Sequence, residues 1–283
     1  MRIAITGSRG QLGQELKEVL SERHQVIALD KPEYDITKRE VSQAIADSEP
    51  EVVIHCAAMT HVDGCALDPQ RALEVNALGT RNVALGCLRA RAELVYISTN
   101  EVFDGAKDSP YWEFDTPHPV NPYGASKLAG EDYVRQLLHR FYVVRTSWLF
   151  GRGGRNFVLK ILEKAQGESR LPMVMDEVAS PTYAPDLAQA IGQLLDLRVY
   201  GTYHLTNSGG CSRFEYAQTI LKLAGREHVE LVPISAAEYV RPSRPPLQSR
   251  LHNYCGAQLG IALRPWQEAL RHFIAEQVLY QKG

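Results

Sequence analysis

The length, composition and charge of the chain are those of an ordinary globular protein. It has 283 residues, of which 45% are hydrophobic and 23% are charged, and its 31 basic and 33 acidic residues give a formal net charge of −2. This composition excludes a disordered, collagen-like or coiled-coil chain. It also leaves no basic excess to hold a nucleic-acid backbone, so we expect no nucleic-acid partner.

Strand and helix patterns alternate along the first half of the chain. Short apolar, β-branched runs predict strands at 2–6, 25–29, 51–57, 93–98 and 141–146. Helical spacing of apolar residues predicts helices at 11–22, 38–46, 69–91 and 124–138. This alternation is typical of an α/β fold with a doubly wound parallel sheet. Beyond residue 151 we expect helices at 157–165, 185–195, 214–224 and 265–277, and one further strand at 202–206.

The cysteines and the apolar runs favour a cytoplasmic protein. The five cysteines are odd in number and form no Cys-x-x-Cys pair, so we expect reduced thiols rather than disulfides or a zinc site. No apolar run approaches the roughly 18 residues of a membrane span, and the N-terminal run is too short for a signal peptide. The histidines show no ligand-like spacing, so the sequence predicts neither a membrane partner nor a metal site.

A glycine-rich turn follows the first predicted strand. Gly7, Gly10 and Gly13 form a Gly-x-x-Gly-x-x-Gly pattern that opens a helix, and Asp30 ends the second strand 17 residues after Gly13. Glycines let the backbone amides of such a turn approach a pyrophosphate, and the acidic residue stands where it would meet the adenosine ribose. The alternative is an ordinary strand–helix turn. We interpret the pattern as a dinucleotide site.

The charges near that ribose leave the choice of cofactor open. Asp30 favours NADH, because its carboxylate would repel a 2′-phosphate. Arg9 and Lys31 favour NADPH, because cations near the same ribose would neutralise that phosphate, although either residue is equally consistent with a solvated surface charge. Both NADPH and NADH therefore remain candidates.

A second group of polar residues follows the fourth predicted strand. Ser98 and Thr99 end the strand, and Tyr123 and Lys127 lie four residues apart on the next helix, so they share one face. A phenol has an ordinary pKa of about 10, and a nearby ammonium group would lower it toward the working range of a proton donor. Strand carboxyl ends are where open parallel sheets bind ligands.

Together these motifs resemble the extended branch of the short-chain dehydrogenase/reductases, and within it the family of dTDP-4-dehydrorhamnose reductases. The stretches that carry the resemblance span nearly the whole chain, at 55–63, 74–76, 98–105, 121–131, 145–148, 180–182, 201–205, 244–245 and 249–251. The resemblance implies a Rossmann-type fold with a smaller, mainly C-terminal substrate-binding domain. It divides the chain into an NAD(P)-binding domain at 1–150 and a mainly substrate-binding domain at 151–283, of which about 183–210 returns to the first domain.

The resemblance also implies a reductase that transfers hydride from NADPH or NADH to the 4-keto group of a dTDP-4-keto-6-deoxyhexose. Thr99 would bind the substrate carbonyl, Tyr123 would donate the proton, and Lys127 would bind the nicotinamide ribose and bias the phenol. The cofactor-binding residues would be Gly7, Gly10, Gln11, Leu12, Gly13, Asp30, Asp35, Ile36, Ala57, Ala58, Met59, Thr60, Tyr123 and Lys127. The substrate-binding residues would be Thr99, Asn100 and Trp148.

The chain departs from the family pattern at several positions. Asn100 and Glu101 stand where the family usually has Asp and Tyr, and His55 and Cys56 stand where it more often has Asn and Ala. One extra residue precedes Ser249. The first pair predicts altered sugar discrimination rather than loss of chemistry.

Two alternative functions remain open from the sequence. One is a related nucleotide-sugar epimerase or dehydratase, which would retain and regenerate its cofactor. The other is a non-catalytic subunit resembling the regulatory β subunit of methionine adenosyltransferase, with which Asn100 is compatible. The expected partner is a nucleotide-sugar substrate, and a homodimer is left open.

Overall fold

The computed structural model describes the backbone of residues 1–280 and the side chains of residues 1–277. The strands are β1 Arg2–Thr6, β2 Gln25–Leu29, β3 Val52–His55, β4 Glu93–Thr99, β5 Phe141–Thr146, β6 Leu149–Phe150, β7 Arg170–Val174, β8 Val178–Ala179, β9 Thr182–Tyr183, β10 Gly201–His204, β11 Cys211–Ser212 and β12 Glu230–Ile234. The helices are α1 Gln11–Ser21, α2 Val41–Asp47, α3 Val62–Leu67, α4 Pro69–Leu73, α5 Gly79–Ala90, α6 Pro122–Leu137, α7 Phe157–Gly167, α8 Ala184–Leu197, α9 Arg213–Leu223, α10 Tyr254–Gln258 and α11 Trp266–Tyr280.

A six-stranded parallel sheet forms the centre of the molecule. Its strand order is β2-β1-β3-β4-β5-β10, and every neighbouring pair runs parallel. Helices cover both faces, so the central strands are buried on both sides and are apolar almost throughout. The predicted α/β class with a doubly wound parallel sheet is confirmed. The chain reverses its direction of winding between β1 and β3, and a crevice at their carboxyl ends is the expected place for a ligand.

The predicted helix at 69–91 is wrong in detail, because the segment is divided in three. α4 ends at Leu73, a π-helical turn spans Glu74–Leu78, and α5 begins at Gly79. Such turns occur frequently at functional sites. Here the turn carries Asn76, which is fully buried and bonds to the backbone after β3.

The rest of the chain forms a second, smaller group of elements beside the sheet. β6 pairs with β9, β7 with β12, and β8 with β11, and these short pairs lie among α7, α9 and α11. Their shared core contains the rings of Phe150, Tyr216 and Phe273. β10 lies beside β5 in the large sheet, and α8 packs against α1. Within residues 1–280, no helix combines the length and apolarity needed to cross a bilayer.

Candidate active site

A cleft of about 500 Å³ opens at the carboxyl ends of β1, β3, β4 and β5. Its walls contain most of the residues singled out from the sequence: Gly7, Gly10, Gln11, Leu12, Gly13, Ala57, Ala58, Thr60, Thr99, Asn100, Tyr123, Lys127 and Trp148. Four others, Asp30, Asp35, Ile36 and Met59, lie outside its lining. The fold therefore brings the glycine turn and the Thr-Tyr-Lys group into one space.

The glycine turn packs too closely to accept side chains. Gly7 has a φ of +71°, and a Cβ placed on it would stand 2.7 Å from the backbone nitrogen of Ala57. A Cβ on Gly13 would collide with the carbonyl oxygen of Gly7, so α1 and the turn after β1 touch backbone to backbone. Gly10 is the N-cap of α1, and no side chain caps the helix there. The first backbone amides of α1 are thus available to an anion in the cleft.

The polar lining of the cleft fits a dinucleotide. The side-chain amide nitrogen of Gln11 is buried without a hydrogen-bond partner among the described residues, and so are the hydroxyl groups of Thr146 and Ser147. All three residues line the cleft. Buried donors without partners are costly, which a polar ligand in the cleft would relieve. Together with the uncapped start of α1, they suit a group that carries phosphates and hydroxyls.

The residues expected near the adenosine lie beyond the glycine turn. Asp30 accepts a hydrogen bond from Ser8 within the turn, and Arg9 lies 3.9 Å from the same carboxylate oxygen. Asp35 pairs with Lys31 at 3.1 Å and accepts hydrogen bonds from the backbone amide and hydroxyl of Thr37. Burial would raise the pKa of Asp35, but the bonds to Thr37 and Lys31 outweigh it and hold that pKa below its usual range.

Ile36 is a core residue in this structure. It is almost fully buried, its side chain packs against Gly79, and its carbonyl accepts a hydrogen bond from Asn82. These contacts join the loop after β2 to α5.

The segment after β3 forms one wall of the cleft and is held by Asn76. The backbone amide of Met59 donates to Oδ1 of Asn76 at 2.8 Å, and Nδ2 of Asn76 donates to the carbonyl of Met59 at 3.0 Å and to Ser126 at 3.0 Å. Asn76 thereby connects this wall of the cleft to α6 through Ser126. Its role was not predicted from the sequence, although it lies in one of the stretches that carry the family resemblance.

His55, which stands where the family more often has Asn, is a neutral hydrogen-bonding bridge between Thr6 and Thr80. Its Nδ1 lies 2.6 Å from the hydroxyl of Thr6, and its Nε2 lies 3.1 Å from the hydroxyl of Thr80. Burial, with a smaller contribution from the charge of Lys127, lowers the pKa of His55 to about 3. Burial likewise raises the pKa of Cys56 to about 12, so both residues stay uncharged beside the cleft.

Thr99 and Asn100 form a hydrogen-bonded corner where β4 ends. The hydroxyl of Thr99 donates to Oδ1 of Asn100 at 3.3 Å and accepts from the backbone amide of Glu101 at 3.2 Å. Nδ2 of Asn100 donates to the hydroxyl of Ser249 at 2.7 Å. Asn100 therefore connects the end of β4 to the segment that precedes α10.

Tyr123 stands at the start of α6, where Asn121 and Gly124 fix the backbone. Asn121 caps the helix by accepting a 2.8 Å hydrogen bond from the amide of Gly124, and Pro122 begins it with a φ suited to a first turn. A Cβ on Gly124 would collide with the carbonyl of Glu101. The start of α6 is thus packed directly on the chain that follows Thr99, which places Tyr123 beside it.

The pKa of Tyr123 moves in the direction opposite to the one expected from the sequence. Burial and the nearby carboxylate of Glu101 raise it above its ordinary value, and a hydrogen bond with Thr99 opposes this shift only in part. The ammonium of Lys127 is directed elsewhere: it donates to the carbonyl of Ile97 at 2.7 Å. In this structure the phenol therefore holds its proton firmly at neutral pH.

Lys127 is almost fully buried, with 3% of its surface exposed. Burial lowers its pKa to about 7, although Glu131, one helical turn away, raises it. Its ammonium lies 4.2 Å from the centre of the Tyr96 ring. The charge of Lys127 is therefore finely balanced at neutral pH.

A buried ion pair lies beneath Lys127. Glu131 is fully buried and accepts two hydrogen bonds from Arg145, at 2.9 and 2.8 Å, one from Arg135 at 2.7 Å and one from Ser98 at 2.5 Å. Burial alone would raise the pKa of Glu131, but the charge of Arg145 outweighs it and the pKa stays below its usual range. This cluster joins β4, β5 and α6 at the base of the site.

Glu101 lines the cleft, and its charge raises the pKa of Tyr123. Its Oε2 accepts a 2.7 Å hydrogen bond from Asn121. Burial raises its pKa to about 7, which the hydrogen bond from Asn121 opposes. The departure from the family pattern at this position thus puts a titrating carboxyl into the cleft wall.

An aromatic and cationic wall closes the opposite side of the cleft. Trp148 has a φ of +42°, a strained conformation for a bulky residue, and the guanidinium of Arg213 lies 3.5 Å from its ring centre. Arg213 also pairs with Glu177 at 2.9 Å. The rings of Phe157 and Tyr216 continue the wall, and the hydroxyl of Tyr216 has no partner among the described residues. Of these residues, only Trp148 was predicted.

Comparisons with known proteins identify the family of the chain. The RmlD substrate binding domain family matches residues 1–279. The spore coat polysaccharide biosynthesis protein SpsK of Bacillus subtilis is 37% identical, with 98% of each chain covered. The dTDP-4-dehydrorhamnose reductase of Mycolicibacterium smegmatis is 38% identical over 98% of this chain and 86% of the relative.

A solved structure shows the same arrangement of the chain. The dTDP-4-dehydrorhamnose reductase of Bacillus anthracis, in complex with NADP, matches with a TM-score of 0.94 and 39% identity over 97% of this chain and 99% of that one. The sequence resemblance is confirmed. The chain belongs to the RmlD substrate binding domain family, the family of the dTDP-4-dehydrorhamnose reductases.

Proposed function

We propose that this protein reduces the 4-keto group of a dTDP-4-keto-6-deoxyhexose, converting dTDP-4-dehydrorhamnose to dTDP-L-rhamnose, with NADPH or NADH as the reductant. The observation that carries the proposal is that Thr99, Tyr123 and Lys127 line the same cleft as the glycine turn after β1. Relatives more than 30% identical over nearly the whole chain carry the reductase name, and the Bacillus anthracis reductase was solved with NADP.

Each of these residues of the cleft has its own role in the reaction. When bound, the reduced nicotinamide cofactor supplies the hydride. Tyr123 holds a proton on its phenol oxygen and donates it to the keto oxygen of the sugar, while Thr99 hydrogen-bonds that oxygen and orients it. Lys127 binds the nicotinamide ribose. The raised pKa of Tyr123 suits this direction of reaction, because reduction of a ketone needs a phenol that is protonated beforehand.

The cofactor and the sugar would occupy different parts of the cleft. The first amides of α1 and the side chain of Gln11 would hold the pyrophosphate, and Asp30 and Asp35 would lie toward the adenosine. Asn100 and Trp148 would face the nucleotide-sugar. We accordingly assign cofactor binding to residues 1–150 and substrate binding mainly to residues 151–283, with 183–210 belonging to the first domain through α8 and β10.

We also propose that the protein acts in the cytoplasm. Its five cysteines are all unpaired, which suits a reducing compartment. A homodimer is left open by the sequence, and sedimentation of the purified protein is the measurement that decides it. We expect no nucleic-acid partner, since the chain carries no basic excess.

The test is to incubate the purified protein with NADPH and dTDP-4-keto-6-deoxy-L-lyxo-hexulose and to follow the absorbance of the reduced nicotinamide. One NADPH should be consumed for each dTDP-6-deoxyhexose formed, as measured by mass spectrometry of the product. An epimerase or dehydratase would change the sugar without net consumption of NADPH. A regulatory subunit would bind NADPH and leave the sugar unchanged, so either result would overturn the proposal.

A further inference from the structure

Two parts of one side chain contact Lys127 from within the sheet. Tyr96 lies in β4 and is fully buried. The centre of its ring is 4.2 Å from Nζ of Lys127, and its hydroxyl donates a 3.1 Å hydrogen bond to the main-chain carbonyl of the same lysine. One residue thus holds both ends of Lys127.

We propose that Tyr96 is a positioning residue for Lys127: its ring binds the ammonium group by a cation–π contact, and its hydroxyl fixes the backbone from which that lysine projects. The importance of this contact for catalysis rests on the reductase function proposed above. The contact itself does not, because it can be measured without turnover.

The surroundings of the ammonium group explain why the ring matters. An ammonium has three donors and needs compensation when it is buried. The carbonyl of Ile97 accepts one of them at 2.7 Å. The charged and titratable groups that face Lys127 are Glu131 on α6, Cys56 after β3, Cys65 on α3 and His55 on β3.

Those groups offer limited stabilisation. Burial keeps the thiols of Cys56 and Cys65 protonated, with pKa values of about 12 and about 11, and it keeps His55 neutral. The carboxylate of Glu131 is already shared between Arg145 and Arg135. The electron-rich face of Tyr96 is therefore a major favourable partner of the ammonium, as desolvated cation–π contacts can be.

The fold makes room for the tyrosine hydroxyl at one position of α6. A Cβ on Gly130 would collide with this hydroxyl and would stand 2.7 Å from the carbonyl of Asn76. The ring of His55 packs on Tyr96 at a centroid distance of 5.7 Å. Gly130 and His55 thus keep the ring at the depth where its face meets the ammonium.

The test measures the titration of Lys127 directly. The protein is produced with lysine labelled by carbon-13 at Cε, and the Lys127 resonance is assigned by its loss in Lys127→Met. In the wild type this resonance should carry a ring-current shift. Tyr96→Phe keeps the ring and should leave the titration midpoint nearly unchanged. Tyr96→Leu should abolish the ring-current shift and lower the midpoint by about 0.5–1.5 pH units, the range that cation–π contacts imply.

A graded series protects the test against loss of folding. Phenylalanines with increasing numbers of ring fluorines, introduced at position 96, change the charge of the ring face with little change in volume. The Lys127 midpoint should fall stepwise along the series. Tyr142→Leu is the control, since Tyr142 is equally buried on the neighbouring strand β5 and contacts Glu93 instead. A midpoint that stays constant along the fluorinated series would overturn the proposal.

The functional consequence has its own measurement. If protonated Lys127 is needed for turnover, the alkaline limb of kcat/KM should move to lower pH in Tyr96→Leu by the same amount as the midpoint. A wild type that shows the titration but oxidises no NADPH would refute the reductase function and leave the contact standing. Normal turnover with a flat fluorinated series would refute the contact and leave the reductase standing.

Discussion

The hydroxyl of Ser8 donates a 2.5 Å hydrogen bond to Oδ2 of Asp30, and so joins the glycine turn after β1 to the end of β2. Arg9 approaches the same oxygen at 3.9 Å with a side chain that is 77% exposed, whereas Lys31 pairs with Asp35. The sequence suggested Arg9 and Lys31 as cations near Asp30, and the structure places Arg9 at the Asp30 carboxylate. The exposed cation and the hydrogen-bonded carboxylate would act in opposite directions on the 2′-phosphate of a bound cofactor.

We therefore expect NADPH and NADH to be accepted within about tenfold of each other, because each charge contributes on the order of 1–2 kcal/mol with opposite sign. Asp30→Ala should raise the ratio of kcat/KM for NADPH over NADH, as steady-state kinetics with both cofactors would show. Asp35→Ala is the matched control and should change the ratio less. Loss of NADPH use in Asp30→Ala would mean that Asp30 is not at the ribose.

Replacing the buried lysine should stabilise the protein while it damages the site. The pKa of Lys127 falls from 10.5 to about 7 on folding, so the folded state resists its protonation. A lysine whose pKa is lower in the folded state leaves the stability of the protein intact only above the unfolded pKa. That stability is lost as the pH falls toward and through the folded pKa, because the unfolded state binds the proton more tightly. Lys127→Met should thus raise the free energy of unfolding by roughly 2–4 kcal/mol at pH 6 and by little at pH 9.

Urea unfolding at the two pH values measures this difference. Lys160→Met, on the exposed surface of α7, is the control and should show no such pH dependence. Equal effects of Lys127→Met at both pH values would show that the lysine titrates normally in the folded protein.

Breaking the buried ion pair between Glu131 and Arg145 should destabilise the protein, whereas Lys127→Met should stabilise it. Glu131→Gln leaves the buried guanidinium of Arg145 without its carboxylate, and breaking such a pair typically costs about 3–5 kcal/mol. Because the folded pKa of Glu131 is depressed, its contribution is present at neutral pH and is lost as the pH falls through that value. The variant should therefore differ most from the wild type near neutral pH in urea unfolding. Arg135→Gln, which removes the half-exposed partner, should cost about 1 kcal/mol or less. Similar costs for the two variants would contradict this ranking.

Much of the sheet could be predicted because local sequence determines it. The bounds of β1, β2 and β5 agree with the prediction, since each is an apolar β-branched run that ends at polar or glycine residues. The π-helical turn at Asn76 could not be predicted, because it depends on hydrogen bonds to Met59, distant in sequence. Two-residue strands such as β6 likewise depend on a partner elsewhere in the chain.

Site residues could be predicted where they belong to a short motif in one continuous stretch of the sequence. Gly7 follows β1 and Thr99 ends β4, whereas Tyr123 and Lys127 lie in the first two turns of α6. The structure places all four in one cleft. Thr146 ends the parallel strand β5 and Ser147 follows it, a position that could have identified both. Arg213 could not have been found in this way, because only the tertiary fold brings it to Trp148.

The departures at Asn100 and Glu101 predict a change in sugar use. Asn100 now donates to the hydroxyl of Ser249, and Asp at 100 would instead accept from that hydroxyl and add the negative charge usual in the family. Tyr at 101 would remove a carboxyl whose pKa is about 7. The double change Asn100→Asp with Glu101→Tyr should raise kcat/KM for the rhamnose precursor by roughly tenfold, as one regained charge-assisted hydrogen bond would. Each single variant and Glu101→Gln, which keeps the size and removes the charge, separate the contributions. Unchanged kinetic constants would show that these side chains do not face the sugar.

The proposed mechanism depends most directly on the phenol of Tyr123. Tyr123→Phe keeps the ring and removes the proton that the keto oxygen would receive, so turnover should fall about a hundredfold to ten-thousandfold. NADPH binding, followed by the fluorescence of the cofactor, should be nearly unchanged. Thr99→Val removes the neighbouring hydroxyl, and because the two groups act on one oxygen, the costs of the two changes should combine less than additively. Turnover close to wild type in Tyr123→Phe would exclude this tyrosine as the proton donor.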